Sequence, residues 1–283
     1  MDAKTLIYDK SSPGQVGCPM PETSCPEAEL LKLIPEKYRR RDDAALPEIS
    51  EGELMRHYIG LSVKNHHIDK GIYPLGSCTM TYNPKLNDRA AVLPAFANRH
   101  PLAPGHTAQG TLRIAYELGE YLKEISGFDE ISLQPAAGAH GEFTGLLIIR
   151  AYHKDRGDVR KKIIIPDSAH GTNPASVTMA GYDAVMVKSG EDGIISPDAI
   201  AELVDNQTAG LMLTNPNTLG LFESNIEEIA DIVHRAGALI YMDGANLNAQ
   251  MGIVKPGKIG FDILHFNLHK TFSTPHGGGG PGG

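Results

Sequence analysis

Gly237-Ala238-Leu239-Ile240-Tyr241-Met242-Asp243-Gly244-Ala245-Asn246 is an apolar run that ends on a carboxylate and then on small residues. Its length and flanking glycines fit a strand buried on both faces, with Asp243 at its carboxyl end. Similar runs cover 163–166, 184–187, 210–214 and 263–266. Helical periodicity is carried by 111–126, 141–155, 196–205 and 226–236. Strands alternating with helices predict an α/β fold, with a largely parallel sheet covered on both faces. In such sheets ligands sit beyond the carboxyl ends of the strands. The unusual polar stretches fall there, at 167–170, 214–217, 243–248 and 267–270. No internal repeat is visible, and the one low-complexity patch is 276–283.

The composition bounds the function. The chain has 283 residues, 41% hydrophobic and 21% charged, which is the make-up of a globular protein with one large or two medium domains. A formal net charge of −8 leaves no basic footprint for nucleic acid. No apolar run is long enough to span a membrane, and no basic, then apolar leader opens the chain, so a cytoplasmic protein is expected. Three cysteines, Cys18, Cys25 and Cys78, are an odd set for a disulfide scaffold. Their spacing is unlike a zinc knuckle, and no metal site is expected. Prolines at 13, 19, 21, 26, 35 and 47 make residues 1–50 read as an extended arm, with a helical pattern only at 27–33. The main domain is expected from 51 to 283. It opens on a helix with Ser50 as N-cap and Glu53 three residues later. Residues 71–110 are rich in Gly and Pro and read as a long, functional loop region.

Four motifs on the sheet edge carry chemistry. Ala136-Ala137-Gly138-Ala139-His140-Gly141-Glu142 opens a helix with small residues. Such a turn lets backbone N–H groups approach a phosphate, although a tight strand-to-helix turn needs the same glycines. His170, in Ser168-Ala169-His170-Gly171-Thr172-Asn173-Pro174, follows a strand and can stack on a flat ring or move protons; a loop histidine bonded to backbone is the plainer reading. Asp243-Gly244-Ala245 places a carboxylate beside a residue small enough for a ring to lie over it, or a strand-end cap. Lys270, in Leu268-His269-Lys270-Thr271, follows a strand read as apolar throughout. A lysine in a partly dehydrated pocket condenses with aldehydes, and a solvent-exposed lysine is the alternative. Together Asp243 and Lys270 suit a pyridoxal-phosphate (PLP) site, in which the carboxylate keeps the pyridine nitrogen protonated. Gly76-Ser77-Cys78-Thr79-Met80 offers polar side chains to substrate or cofactor, or forms a structured turn.

Taken in order, these segments resemble the glycine cleavage system P-protein, a PLP-dependent glycine decarboxylase. The matching stretches begin with Tyr73-Pro74-Leu75-Gly76-Ser77-Cys78-Thr79-Met80, Gln134-Pro135-Ala136-Ala137-Gly138-Ala139-His140-Gly141-Glu142 and Asp167-Ser168-Ala169-His170-Gly171-Thr172-Asn173-Pro174. They continue with Leu213-Thr214-Asn215-Pro216-Asn217-Thr218, Asp243-Gly244-Ala245-Asn246-Leu247-Asn248-Ala249 and Asn267-Leu268-His269-Lys270-Thr271-Phe272. His276-Gly277-Gly278-Gly279-Gly280-Pro281-Gly282 completes the set.

The resemblance implies the aminotransferase-like fold type I of PLP enzymes. The chain looks like subunit 2 of the family's two-subunit form, and the resemblance implies a partner subunit 1 and a dimer of heterodimers. The implied substrate is glycine, whose aminomethyl group passes to the lipoyl cofactor of the H-protein. By the family pattern Lys270 binds PLP covalently and Asp243 pairs with the pyridine nitrogen. His170 stacks on one ring face and serves as the candidate proton-transfer group. Ala245 lies near the other face. Ala137, Gly138 and Ala139 cradle the phosphate, with Thr214 and His269 as further cofactor contacts and Ser77, Cys78 and Thr79 facing substrate. Two departures stand out. The family's subunit 2 continues beyond the glycine run into a smaller C-terminal domain, whereas this sequence stops at Gly283 and reads as truncated. Thr81 stands where lysine is expected, which bears on substrate handling. Competing expectations are another fold type I enzyme, such as an aminotransferase, and an inactive or assembly subunit.

Overall fold

The computed structural model describes residues 6–22, 24, 32–65, 71 and 84–272. The chain divides after Gly71 into two compact units. In the first, 3-10 turns at Ile7–Lys10 and Glu36–Tyr38 precede helix α1, Glu51–Ser62. The Ser12 N–H donates to the Glu48 carbonyl at 2.8 Å, and Ser11 Oγ accepts from the Glu48 N–H at 2.9 Å. Ser50 caps α1, accepting from the Glu53 N–H at 3.4 Å, as its capping-box pattern predicts.

In the second unit the described elements are α2 (Lys85–Ala91), α3 (Pro94–Ala97), α4 (Gln109–Ser126), α5 (Gly138–Asp155), β1 (Lys162–Pro166), α6 (Thr172–Met179), β2 (Asp183–Val187), α7 (Pro197–Leu203), β3 (Thr208–Thr214), α8 (Ile226–Arg235), β4 (Leu239–Gly244), β5 (Ile263–Phe266) and α9 (Leu268–Thr271). The five strands form one sheet in the order β2-β1-β3-β4-β5, and every pairing is parallel. The chain steps from β2 across β1 to β3, so the strand order reverses between β1 and β3. A crevice at the carboxyl edge follows from that reversal.

Both faces of the sheet are covered. On one, Ile164, Leu211, Leu213, Ile240 and Met242 pack against α7 and α8. α8 presents Ile226, Ile229, Ala230 and Val233 to them, the i, i+3, i+4, i+7 stripe of an amphipathic helix. On the other, Ile163, Ile165, Met212 and Tyr241 pack against Leu146 and Ile149 of α5 and Val177 of α6. β3 is buried at all seven positions, which is why its sequence shows no alternation.

The differences from the sequence reading have local causes. β4 runs two residues further than the apolar pattern, because Asp243 and Gly244 still pair with His265 and Phe266. Strand pairing is a backbone matter and does not stop at a polar side chain. α5 starts at Gly138, three residues early, because its first turn is built of small residues with no apolar period. α6 was hidden by Gly171 and Pro174, yet Pro174 lies in the first turn, where a missing N–H costs no helical bond. The loop-rich stretch holds two short helices, α2 and α3. β5 is not apolar throughout: its interior carries the buried His265. The glycine run, Cys25, Cys78 and Thr81 lie outside the described residues. No described helix is long and apolar enough to cross a membrane, and no cluster of metal-binding side chains occurs among the described residues.

Candidate active site

The parallel register builds the site. Thr214, Asp243 and His265 are successive partners across β3, β4 and β5, so their side chains stand in a row on one face at the carboxyl edge. Asp243 is only 4% exposed. Its Oδ1 accepts from the Ala245 N–H at 2.9 Å and lies 3.3 Å from His265 Nε2. Its Oδ2 accepts from Asn173 Nδ2 at 3.1 Å. The same Asn173 nitrogen donates to Glu142 Oε1 at 3.0 Å, and Thr172 Oγ1 donates to Glu142 Oε2 at 3.0 Å. His170 Nδ1 is 2.7 Å from Thr172 Oγ1. A continuous polar chain therefore runs from the exposed His170 on the β1–α6 turn, through α6 and α5, to Asp243 on β4.

It ends in a buried pair. Tyr241 OH meets His265 Nδ1 at 2.5 Å, and Asn267 Nδ2 meets His265 Nε2 at 2.9 Å. Burial holds His265 below the ordinary imidazole range, and the nearby Lys270 ammonium pushes the same way, against the pull of Asp243 and Glu142. Burial raises the Tyr241 phenol well above 10, helped by the charges of Asp243 and Glu142. At neutral pH this edge thus has an uncharged imidazole and an uncharged phenol behind its carboxylate.

Lys270 follows directly on α9 and is half-buried, with His269 buried beside it. The turn at Ala137, Gly138 and Ala139 opens the 18-residue α5. Ala137 is the N-cap and has no side chain able to cap the first N–H groups. Gly138 is packed so closely on the Lys270-bearing segment that a Cβ there would fall 2.0 Å from Asn267 Oδ1. Ala245 is half-buried just past β4. The edge thus brings together Ala137, Gly138, Ala139, Thr214, Asp243, Ala245, His269 and Lys270, with His170 joined to them by the polar chain. Ser77, Cys78 and Thr79 lie outside the described residues. Sequence reasoning assigned no role to Glu142, Thr172, Asn173, Tyr241, His265 or Asn267. Glu142, Thr172 and Asn173 stand inside quoted motifs, but only the fold shows that they meet Asp243.

A cofactor with an aldehyde, a ring nitrogen and a phosphate needs an amine, a buried anion and a set of N–H donors. Lys270, Asp243 and the uncapped start of α5 match those needs. Thr214 Oγ1, Asn173 Oδ1 and Thr271 Oγ1 are buried without a hydrogen-bond partner, as groups reserved for a polar ligand are.

Comparison with known proteins agrees with this geometry. The Aminotransferase class-V family matches residues 145–279. A solved glycine decarboxylase (P-protein) of the glycine cleavage system, in inhibitor-bound form, superimposes with a TM-score of 0.69 at 20% identity, covering 93% of this chain and 61% of that one. Oryza sativa TDC with PLP and tryptamine gives 0.60 at 14% identity, over 83% of this chain and 56% of that one. The chain has the fold of the PLP-dependent fold type I enzymes. It is 57% identical over 280 residues to a probable glycine dehydrogenase (decarboxylating) subunit 2 of Bacillus velezensis, and 56% identical over 277 residues to that of Chloroherpeton thalassium. Over nearly its whole length the chain is similar to these glycine dehydrogenase (decarboxylating) subunit 2 proteins. The matches take in 99% and 98% of the chain but only 57% and 56% of those relatives.

Proposed function

We propose that this chain provides the PLP-binding part of a glycine-decarboxylating enzyme of the cytoplasm. The enzyme takes glycine, releases its carboxyl carbon as CO₂ and passes the aminomethyl group to the lipoyl cofactor of an H-protein. It works with a subunit 1, as a dimer of heterodimers. The observation that carries the reading is the meeting of Lys270, the buried Asp243 and the uncapped start of α5 at one carboxyl edge.

PLP, when bound, supplies a sink for the electron pair left as the carboxylate departs. The chain's own residues hold and tune it. Lys270 Nζ would be the covalent anchor. Asp243 would keep a proton on the ring nitrogen, its carboxylate held in place by Asn173 and the Ala245 N–H. Neutral His265 and Tyr241 exclude water behind it without adding a competing positive charge. The N–H groups at Gly138 and Ala139 would hold the phosphate, since the dipole of α5 favours an anion there. His170 would be the residue that covers one face of the ring and holds a proton for exchange with the substrate.

The test is to incubate the chain with PLP, alone and with subunit 1, reduce with borohydride and locate the pyridoxyl group by peptide mass mapping. The expected result is modification of Lys270, absent in Lys270→Ala. Exchange of labelled CO₂ into glycine is expected once subunit 1 is present. Modification of another lysine, or none in either mixture, overturns the reading.

A further inference from the structure

Glu142 is 3% exposed and has no part in the reaction just proposed. Each of its oxygens accepts one bond, Oε1 from Asn173 Nδ2 and Oε2 from Thr172 Oγ1, both at 3.0 Å. Thr172 Oγ1 also lies 2.7 Å from His170 Nδ1. A hydroxyl has one hydrogen and a carboxylate has none. The Thr172 hydrogen therefore goes to Glu142, and the hydrogen of the 2.7 Å contact must come from the ring. His170 then carries its proton on Nδ1 and keeps its lone pair on Nε2.

One arrangement competes. The Thr172 backbone N–H approaches Nδ1 at 3.3 Å and can donate only if Nδ1 is bare. The hydroxyl then turns to the ring, and a buried carboxylate oxygen loses its donor. Desolvation of that oxygen outweighs a long contact at an exposed ring. From this geometry we infer that Glu142 is a positioning residue: acting through Thr172, it fixes the tautomer of His170 and leaves Nε2 as the basic atom. Through Asn173 the same carboxylate also steadies Asp243, so one buried group orients both. The use of Nε2 in proton transfer rests on the function proposed above; the tautomer does not.

The experiment is nitrogen-15 NMR of the histidines in the full chain without cofactor, at a pH where the imidazoles are neutral, with His170 assigned from His170→Gln. The wild type is expected to show a pyrrole-type Nδ1 and a pyridine-type Nε2 at His170. In Glu142→Gln, and in Thr172→Val, the Nε2–H form is expected to become the majority. Thr172→Val keeps Glu142, its bond to Asn173 and the side-chain shape, so it decides the matter if Glu142→Gln does not fold. An Nε2–H majority in the wild type, or an Nδ1–H majority retained in Thr172→Val, overturns the inference. Failure of PLP to attach to Lys270 while the tautomer behaves as expected counts against the proposed function and leaves the role of Glu142 standing.

Discussion

Glu142 on α5 and Asp243 on β4 accept from the same nitrogen, Asn173 Nδ2, at 3.0 and 3.1 Å. Two buried acidic side chains are thereby held by one amide that is itself fully buried. A hydrogen bond to a charged group contributes about 1.5–3 kcal/mol. Asn173→Ala removes two and is expected to lower the unfolding free energy by roughly 3–5 kcal/mol, allowing for partial overlap of the two losses. Urea unfolding reads the change, and a loss below about 1 kcal/mol would show that neither acceptor depends on this amide.

Gly145 is the second point at which the site is fixed by packing. A Cβ there would lie 2.2 Å from Cε2 of Tyr241, the fully buried ring bonded to His265. Gly145→Ala gains about 1 kcal/mol of helix propensity but forces that ring to move, at a typical overpacking cost of about 1–3 kcal/mol. Net destabilisation is expected. Gly110→Ala, in α4, meets only Phe96 Cε1 at 3.9 Å and is expected to stabilise. Thermal melts of the two variants should therefore move in opposite directions. Equal shifts would mean that α5 can slide away from the sheet.

Asp243→Asn keeps the size of the side chain and removes its charge. PLP is expected to remain attachable to Lys270, because the anchor is covalent. Exchange of CO₂ into glycine is expected to fall by about two orders of magnitude or more, the scale of losing one preorganised electrostatic group. Mass mapping and the exchange assay are read on the same sample. Wild-type exchange in this variant would remove Asp243 from the chemistry.

Much of this architecture was legible in the sequence because it rests on backbone periodicity. All five strands and the helices α4, α5, α7 and α8 announce themselves as apolar runs or stripes. Asp243 and Lys270 were legible because each follows such a run. The supporting shell was not, for a different reason. His265 is one polar residue inside an apolar strand, and nothing local says that its register partner is Asp243. Asn173 is 70 residues from Asp243 and 31 from Glu142 along the chain. α6, which carries it, is masked by Gly171 and Pro174. Contacts of that separation are set by the order of strands in the sheet, which periodicity does not encode.

The protonation of buried groups gives the stability a pH dependence with a definite sign. Burial is the first cause that lowers the pKa of His153 and of His265 below the ordinary 6.5. Below pH 6.5 the unfolded chain takes up protons that the folded chain refuses. Stability is therefore complete above that pH and is lost as the pH falls through the window beneath it, by up to about 1.4 kcal/mol per pH unit for each group. Glu223 acts in the opposite direction. Burial raises its pKa above 4.5, against the bonds it accepts from the Ile195 N–H and Asn217. As the pH falls through its own window, the folded chain binds a proton before the unfolded chain does, which offsets part of the histidine loss. Urea midpoints measured between pH 7.5 and 5 should decline with acidification in the wild type, and more steeply in Glu223→Gln, in which the offset is gone. Only the slopes are compared, since the substitution also changes the hydrogen bonds at Ile195 and Asn217. A flat profile in both proteins would mean that His153 and His265 titrate alike in the folded and unfolded chain, and would remove the neutral imidazole from behind Asp243.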